Sequence, residues 1–390
     1  MRVPGALLGM PGRVATIAVV LIVAAPGVSR AQVFDQVIES IFNGQPANCQ
    51  ESFEMSPTGA LATLCEAGGT NLVGNSGGSV SALSNESNPA PERLYEKEVG
   101  SLNVFFSADY EHFQKQTTRF EPAYKNYIWR GAVGADYAQD AVTVGGALRY
   151  IHDNGKFGGS GSPGFETNSY GLVLYGNYAP SERSFVSGSV GYMRQNFDIE
   201  RAVFFDPDGT GDPTIPPGFL GVTRGKPNGN EFQAQVNGGY DFRFDSFTIG
   251  PTLGVNYLYD DIDNYSERGS TGMELKYSDL EEQSLTSRLG GHGSVAISTS
   301  FGVIVPQVTG EYVHEFMDPQ RKTEFRFVED AARVRFRFQN DKPDRDYFEV
   351  GASVVLQLAD GIAPFVSFRT LLGYNQYASR QVTAGARFEF

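Results

Sequence analysis

From Gly100 to Phe390 the chain alternates. In one run, Phe232, Ala234, Val236, Gly238, Tyr240 and Phe242 place an apolar or small side chain at every second position, with Gln233, Gln235, Asn237 and Asp241 between them. A period of two is that of a strand with one oily face and one wet face. Tyr170, Leu172, Leu174, Gly176 and Tyr178 repeat the pattern, as do Phe348, Val350, Ala352, Val354 and Leu356. It returns at the end, where Val382, Ala384, Ala386, Phe388 and Phe390 alternate with Gln381, Thr383, Arg387 and Glu389. The periodicity predicts roughly twelve strands, near 101–113, 126–138, 141–152, 168–179, 184–199, 230–244, 246–262, 283–298, 301–316, 346–358, 361–373 and 377–390. Many run to ten or more residues, longer than the ~5 to 6 typical of globular sheets and close to the ~9 to 11 that cross a bilayer at a tilt.

The connections sort by length. Those after odd-numbered strands are long, as at 200–229 and 317–345, and those after even-numbered strands are tight, as at Gln139-Asp140, Thr299-Ser300 and Ala359-Asp360. The short gap Tyr374 to Gln376 is the exception. Short periplasmic turns and longer outer loops are the signature of an outer-membrane barrel. The fold expected is therefore all-β, a twelve-stranded antiparallel transmembrane β-barrel over residues 100–390. Aromatic pairs near strand ends, such as Tyr257 with Tyr259 or Tyr110 with Phe113, suit interfacial girdles.

Ahead of the barrel the periods differ. Arg2 and Arg13 precede an apolar or small run from Val14 to Ala25, then Pro26-Gly27 and Ser29-Arg30-Ala31. Twelve residues of helix rise only ~18 Å against a ~30 Å hydrocarbon core, so residues 1–31 read as a signal peptide cleaved after Ala31. Residues 32–66 form a short helical segment: Phe34, Val37, Ile38, Ile41 and Phe42 recur at helical spacing before Gly44, and Pro57 to Glu66 follows Ser56 as a cap. Both cysteines, Cys49 and Cys65, lie there, and an even count in an exported chain favours one disulfide. Residues 67–90, rich in Gly, Ser and Asn, form a flexible linker.

Composition narrows the function. The formal charge is −14, and loss of Arg2, Arg13 and Arg30 with the leader lowers it by three to −17. Nucleic acid is excluded as a partner. Mean hydropathy of −0.26 looks soluble, but a barrel with alternating faces averages to a similar value.

Several motifs sit along the barrel in order. They are Ser169-Tyr170-Gly171-Leu172, Gly239-Tyr240-Asp241-Phe242 before Gly250-Pro251, and Tyr265-Ser266-Glu267-Arg268-Gly269. Pro306 to Phe316 (PQVTGEYVHEF) and a terminal strand ending in Phe390 complete the set. With this order and spacing, residues 91–390 resemble the carboxy-terminal translocator barrel of type V secretion autotransporters. The resemblance implies a lumenal helix joining barrel and passenger, where Pro91 to Val99 (PERLYEKEV) stands. It also implies that Phe390, Phe388 and Ala386 carry the outer-membrane assembly signal. The departure is the passenger: family members usually carry a long β-helix, and here only Gln32 to about Ala90 precede the barrel.

Inward positions of the expected strands carry charges of both signs: Asp109, Arg130, Asp136, Arg149, Asp241, Arg288, Glu311, Glu349, Arg369, Arg387 and Glu389. In a polar lumen these can pair with one another and with Glu92, Glu96 and Glu98, or line an ion path. Asp206 to Asp212 begins like a calcium loop, but Pro217 occupies the place of the bidentate Glu, so an acidic outer turn is expected. Gly159-x-Gly161-x-x-Gly164 lacks the βαβ context of a dinucleotide site. His314-Glu315 has no second His at ligand spacing. No catalytic site, cofactor or metal is expected. The chain reads as a monomeric barrel of the Gram-negative cell outer membrane that anchors a short amino-terminal segment and can translocate it. Its expected partners are outer-membrane lipid, the barrel-assembly machinery and periplasmic chaperones. Two other readings stay open: a small-solute or ion channel, and a surface adhesion or interaction protein acting through its outer loops.

Overall fold

The computed structural model describes residues 101–118, 123–157, 164–181, 183–205, 218–244, 247–317, 322–339, 341, 344–358, 361–375 and 377–390. The expected signal peptide, helical segment, Cys49 and Cys65, linker, 91–99 helix and acidic turn 206–212 lie outside them. Twelve long strands build the wall: β1 (Ser101–Lys115), β2 (Tyr124–Gln139), β3 (Val142–Phe157), β4 (Gly164–Ser181), β5 (Ser184–Phe205) and β6 (Asn228–Tyr240). They continue with β7 (Phe247–Ile262), β8 (Leu280–Val295), β9 (Gly302–Glu315), β10 (Asp346–Leu358), β11 (Ile362–Leu372) and β12 (Tyr377–Glu389). Each pairs antiparallel with its sequence neighbours, and β12 pairs with β1 from Asn103↔Glu389 to Lys115↔Tyr377, so the ring closes. Closure removes the two edges whose unpaired N–H and C=O groups hydrocarbon could not satisfy.

The pleat sends alternate side chains to opposite faces, and the faces are those the periodicity predicts. Outward Trp129, Leu148, Leu253 and Val308 are 56%, 63%, 60% and 62% exposed, whereas inward Gln233, Arg288 and Glu349 are buried. A ring of large apolar side chains facing outward is stable only against lipid. The apolar face runs from Tyr137 to Tyr127 on β2 and from Tyr178 to Tyr170 on β4, the ~9 to 11 residues a tilted strand needs.

Turn lengths follow the expected sorting. Asp140 and Ala141 alone join β2 to β3, with Asp140 at φ 52°, a left-handed conformation that a short polar residue tolerates. β6 leads to β7 through the small hairpin strand Phe242–Phe244, and both chain-terminal strands meet the short-turn end, where Leu102 and Phe390 exchange backbone hydrogen bonds. The short-turn end is periplasmic in barrels of this kind.

The outer connections hold structure that the alternation did not predict. β5 extends to Phe205 because its upper half pairs with a separate strand, Gly218–Gly225, while its lower half pairs with β6. Four short strands, Tyr265–Ser266, Leu275–Tyr277, Lys322–Phe327 and Phe336–Gln339, form a second antiparallel sheet. Segments of two to six residues are too short to show a period.

Among the twelve wall strands the β12–β1 seam is the one ladder that does not join sequence neighbours, and Phe390 supplies its last backbone pair and stands 73% exposed to lipid. Deleting Phe390 is expected to lower the outer-membrane yield of folded protein several-fold, read as loss of the heat-modifiable band on gels. A full yield of that band would contradict this account of the seam.

Candidate functional site in the lumen and at its outer mouth

Within the membrane-spanning layer the inward charges meet across adjacent strands and across the strand next but one. Arg130 lies in register with Asp109 and donates to it at 2.5 Å, and it also donates to Glu111. Glu111 in turn accepts the Ser379 hydroxyl of β12 at 2.5 Å. On the opposite wall Glu311 and Glu349 are direct cross-strand partners, a like-charge pair that would repel. Arg288 lies between them, with Nε donating to Glu311 at 2.9 Å and a terminal nitrogen donating to Glu349 at 2.7 Å, and Arg369 stands 3.7 Å from Glu349. Nearer the short turns Arg387 donates to Asp136 at 2.6 Å, and the same carboxylate accepts Asn103 and Tyr175 at 2.8 and 2.9 Å. Arg149 is also buried on the inner face, and His292 and Asp241 meet at 3.0 Å.

Above this polar layer the inward positions turn apolar. Phe113, Tyr124, Phe165, Phe197, Ile262 and Leu280 from the strand ends join Tyr265, Leu275, Tyr277 and Phe325 from the loop strands in one buried cluster. Val313, Tyr347, Leu371 and Tyr374 form a second cluster beside it, and Tyr377 packs against both. The loop sheet thus folds over the mouth and seats its aromatic face on the aromatic ends of the strands. At Gly225 the fit requires glycine, because a Cβ there would lie 2.3 Å from the Tyr265 ring.

A buried ion pair between Arg201 and Glu267 fastens this cover. Arg201, inward on the upper half of β5, grips Glu267 with Nε at 2.8 Å and a terminal nitrogen at 2.5 Å, and donates to the Met273 carbonyl at 2.8 Å. Glu267 also accepts the Leu275 N–H at 2.9 Å. Both side chains are buried, at 2% and 3% exposure, so the bidentate geometry and extra hydrogen bonds must offset a desolvation cost of several kcal/mol per ion. Burial first, and the nearby Glu267 carboxylate as well, push the Tyr265 and Tyr277 phenols well above their ordinary range, so both remain neutral and stack at 4.7 Å.

Phe390, Phe388 and Ala386, at the end of the final strand, share the outer surface of the seam. Phe388 stacks on Phe106 at 6.2 Å, and Ala386, opposite Phe106 and Pro364, is buried between larger neighbours. His314 and Glu315, adjacent in sequence, point to opposite faces: His314 meets Asp346 at 2.7 Å outside, and Glu315 accepts Ser284 at 2.5 Å inside.

A sequence profile for the autotransporter β-domain matches residues 104–369. The chain belongs to the autotransporter β-domain family. Among solved structures this β-domain is similar to the translocator domain of the autotransporter NalP from Neisseria meningitidis, at TM-score 0.57 and 16% identity, with 74% of this chain and 89% of that one covered. It is also similar to the β domain of the Bordetella autotransporter BrkA, at TM-score 0.53 and 14% identity, covering 74% and 100%. These likenesses concern the fold. No curated protein sequence matches the chain. An autotransporter β-domain with this closed ring is a barrel of the Gram-negative outer membrane.

In this β-domain the Arg201–Glu267 clamp and the aromatic cover escaped the sequence reading. A signal was present: at Phe113, Tyr124, Phe165 and Phe197 inward positions become apolar beside an outward face that turns polar at Gln114, Lys125, Glu166 and Asp198. Replacing Arg201 with Met leaves Glu267 buried without its cation, a loss of about 3 kcal/mol or more. The folded Arg201→Met barrel is expected to be cut by trypsin at Arg268 or Lys276, sites protected in the parent, with heat-modifiability retained. Equal protection in both would show that the clamp does not hold the cover.

Proposed function

We propose that the barrel anchors residues 32–90 to the outer membrane and translocates them to the cell surface, after a signal peptide over residues 1–31 has directed export. The observation that carries this reading is the sidedness of β1. It starts at the short-turn end, beside Phe390, so a preceding segment that reaches the surface must travel through the lumen. Residues 91–99 as a helix reach ~14 Å, and the Gly/Ser-rich linker before them, at ~3.3 Å per extended residue, completes the crossing. Inward charges that already hold partners on nearby strands favour a wall built to receive a polar chain over an open ion path. A small barrel is tight, so a disulfide-closed helical pair fits poorly. In this reading Cys49 and Cys65 stay unpaired until they have crossed, and Phe390, Phe388 and Ala386 present the final strand to the assembly machinery.

An epitope inserted in the linker near Gly77 is expected to bind antibody on intact cells. Labelling that needs a permeabilised outer membrane would overturn translocation and leave a barrel with a periplasmic extension.

A further inference from the structure

Among the described residues, one stretch of the outer rim carries a row of cations without carboxylate partners. Arg380 on β12 lies directly opposite His112 on β1, and Lys125 on β2 lies directly opposite Lys156 on β3. All four point outward, and Lys125, Lys156 and Arg380 are exposed. Among the described residues, no carboxylate forms an ion pair with any of these three. Elsewhere on the same rim the cations are answered: Arg224 by Glu200 at 2.7 Å, Lys226 by Asp198 at 2.5 Å, and Arg194 by Asp263 at 3.7 Å. Like charges directly opposite on paired strands destabilise the pair, and in a chain of net charge −14 carboxylates are not scarce.

The row stands at a defined height. His112 and Lys125 each occupy the first outward position above the aromatic belt, after Tyr110 and Tyr127, and Arg380 follows Val382 in the same way. His112 stacks on the Tyr127 ring at 5.0 Å, and Tyr110 packs on Trp129 at 4.7 Å. A molecule held here presents anionic groups at the rim and apolar chains along the wall below.

We propose that the outward rim of β12, β1, β2 and β3 binds the phosphates of a phosphorylated outer-leaflet glycolipid. Arg380 and Lys125 are the principal phosphate ligands, Lys156 extends the row, and the Tyr110, Tyr127 and Trp129 belt packs against the acyl chains. Charge-assisted hydrogen bonds from the guanidinium and the ammonium supply the specificity, and the bound anion relieves the Lys125–Lys156 repulsion. The site does not depend on export of residues 32–90.

The test uses a built-in probe, because Trp129 is the one tryptophan of the chain. Full-length folded protein in neutral detergent is titrated with diphosphoryl lipid A, and with the same lipid after removal of both phosphates, while Trp129 fluorescence and the thermal midpoint are followed. Saturable binding of the phosphorylated form is expected, weakened about tenfold or more in Lys125→Gln/Arg380→Gln. Lys226→Gln, a paired cation on the same rim, is expected to bind as the parent does. The heat-modifiable band confirms that each variant is folded, and Arg380→Lys, which keeps the charge, is expected to retain most of the affinity. Equal binding of the dephosphorylated lipid, unchanged affinity in the double variant, or inorganic phosphate binding as tightly as the lipid would each overturn the proposal. Failure here leaves the surface labelling of the linker untouched, so the two readings fall separately.

Discussion

The structure depends on the ladder between β12 and β1. Every other pair in the wall joins strands adjacent in sequence and forms as a hairpin or across one loop. This pair joins Asn103 to Glu389 and Lys115 to Tyr377 across nearly the whole domain. Until it forms the wall is an open sheet with two unsatisfied edges, which neither hydrocarbon nor a crowded periplasm tolerates. Once it forms, register is locked, because a one-residue slip would turn Gln381, Thr383 and Arg387 into lipid and Val382 and Ala384 into the lumen. The inside and the outside are therefore specified together.

The lumen shows how a closed wall handles charge. A buried ion pair is poor evidence of stability, since desolvation offsets much of the attraction. The pairs here have a geometric role instead. Glu311 and Glu349 face each other on paired strands and require Arg288 between them, so β8, β9 and β10 keep that register or lose the bridge. Asp136, approached by Arg387, Asn103 and Tyr175, does the same for the wall on either side of the seam. The apolar layer above is different in kind: it gains from burial without directional demands, and suits a cover made of several loops.

How much of this was legible in the sequence follows from the range of the forces. Period-two runs such as 230–242 read directly as strands, because each residue's face is set by its immediate neighbours. Sidedness also read through, since turn length is a local property. The charges at Arg130, Arg288, Glu349 and Arg387 were visible as inward positions, although their partners were not: Arg130 finding Glu111, or Arg387 finding Asp136, depends on which strands become neighbours. The loop sheet was illegible for the same reason. Leu275–Tyr277 pairs with Lys322–Phe327 across two barrel strands, and nothing within either segment names the other.

The upper half of β5 has a mechanical consequence. Pairing with Gly218–Gly225 turns it from a loop stem into a stiff arm that continues the wall beyond the membrane, and the Arg224–Arg268 bridge ties that arm to the cover. Arg201 lies on the same arm with its carboxylate partner in the cover. A load applied above Phe205 is carried down a hydrogen-bonded ladder and shared with the cover through both attachments. The arm acts as a lever, and the fulcrum is the point where β5 leaves Gly218–Gly225 and takes up β6.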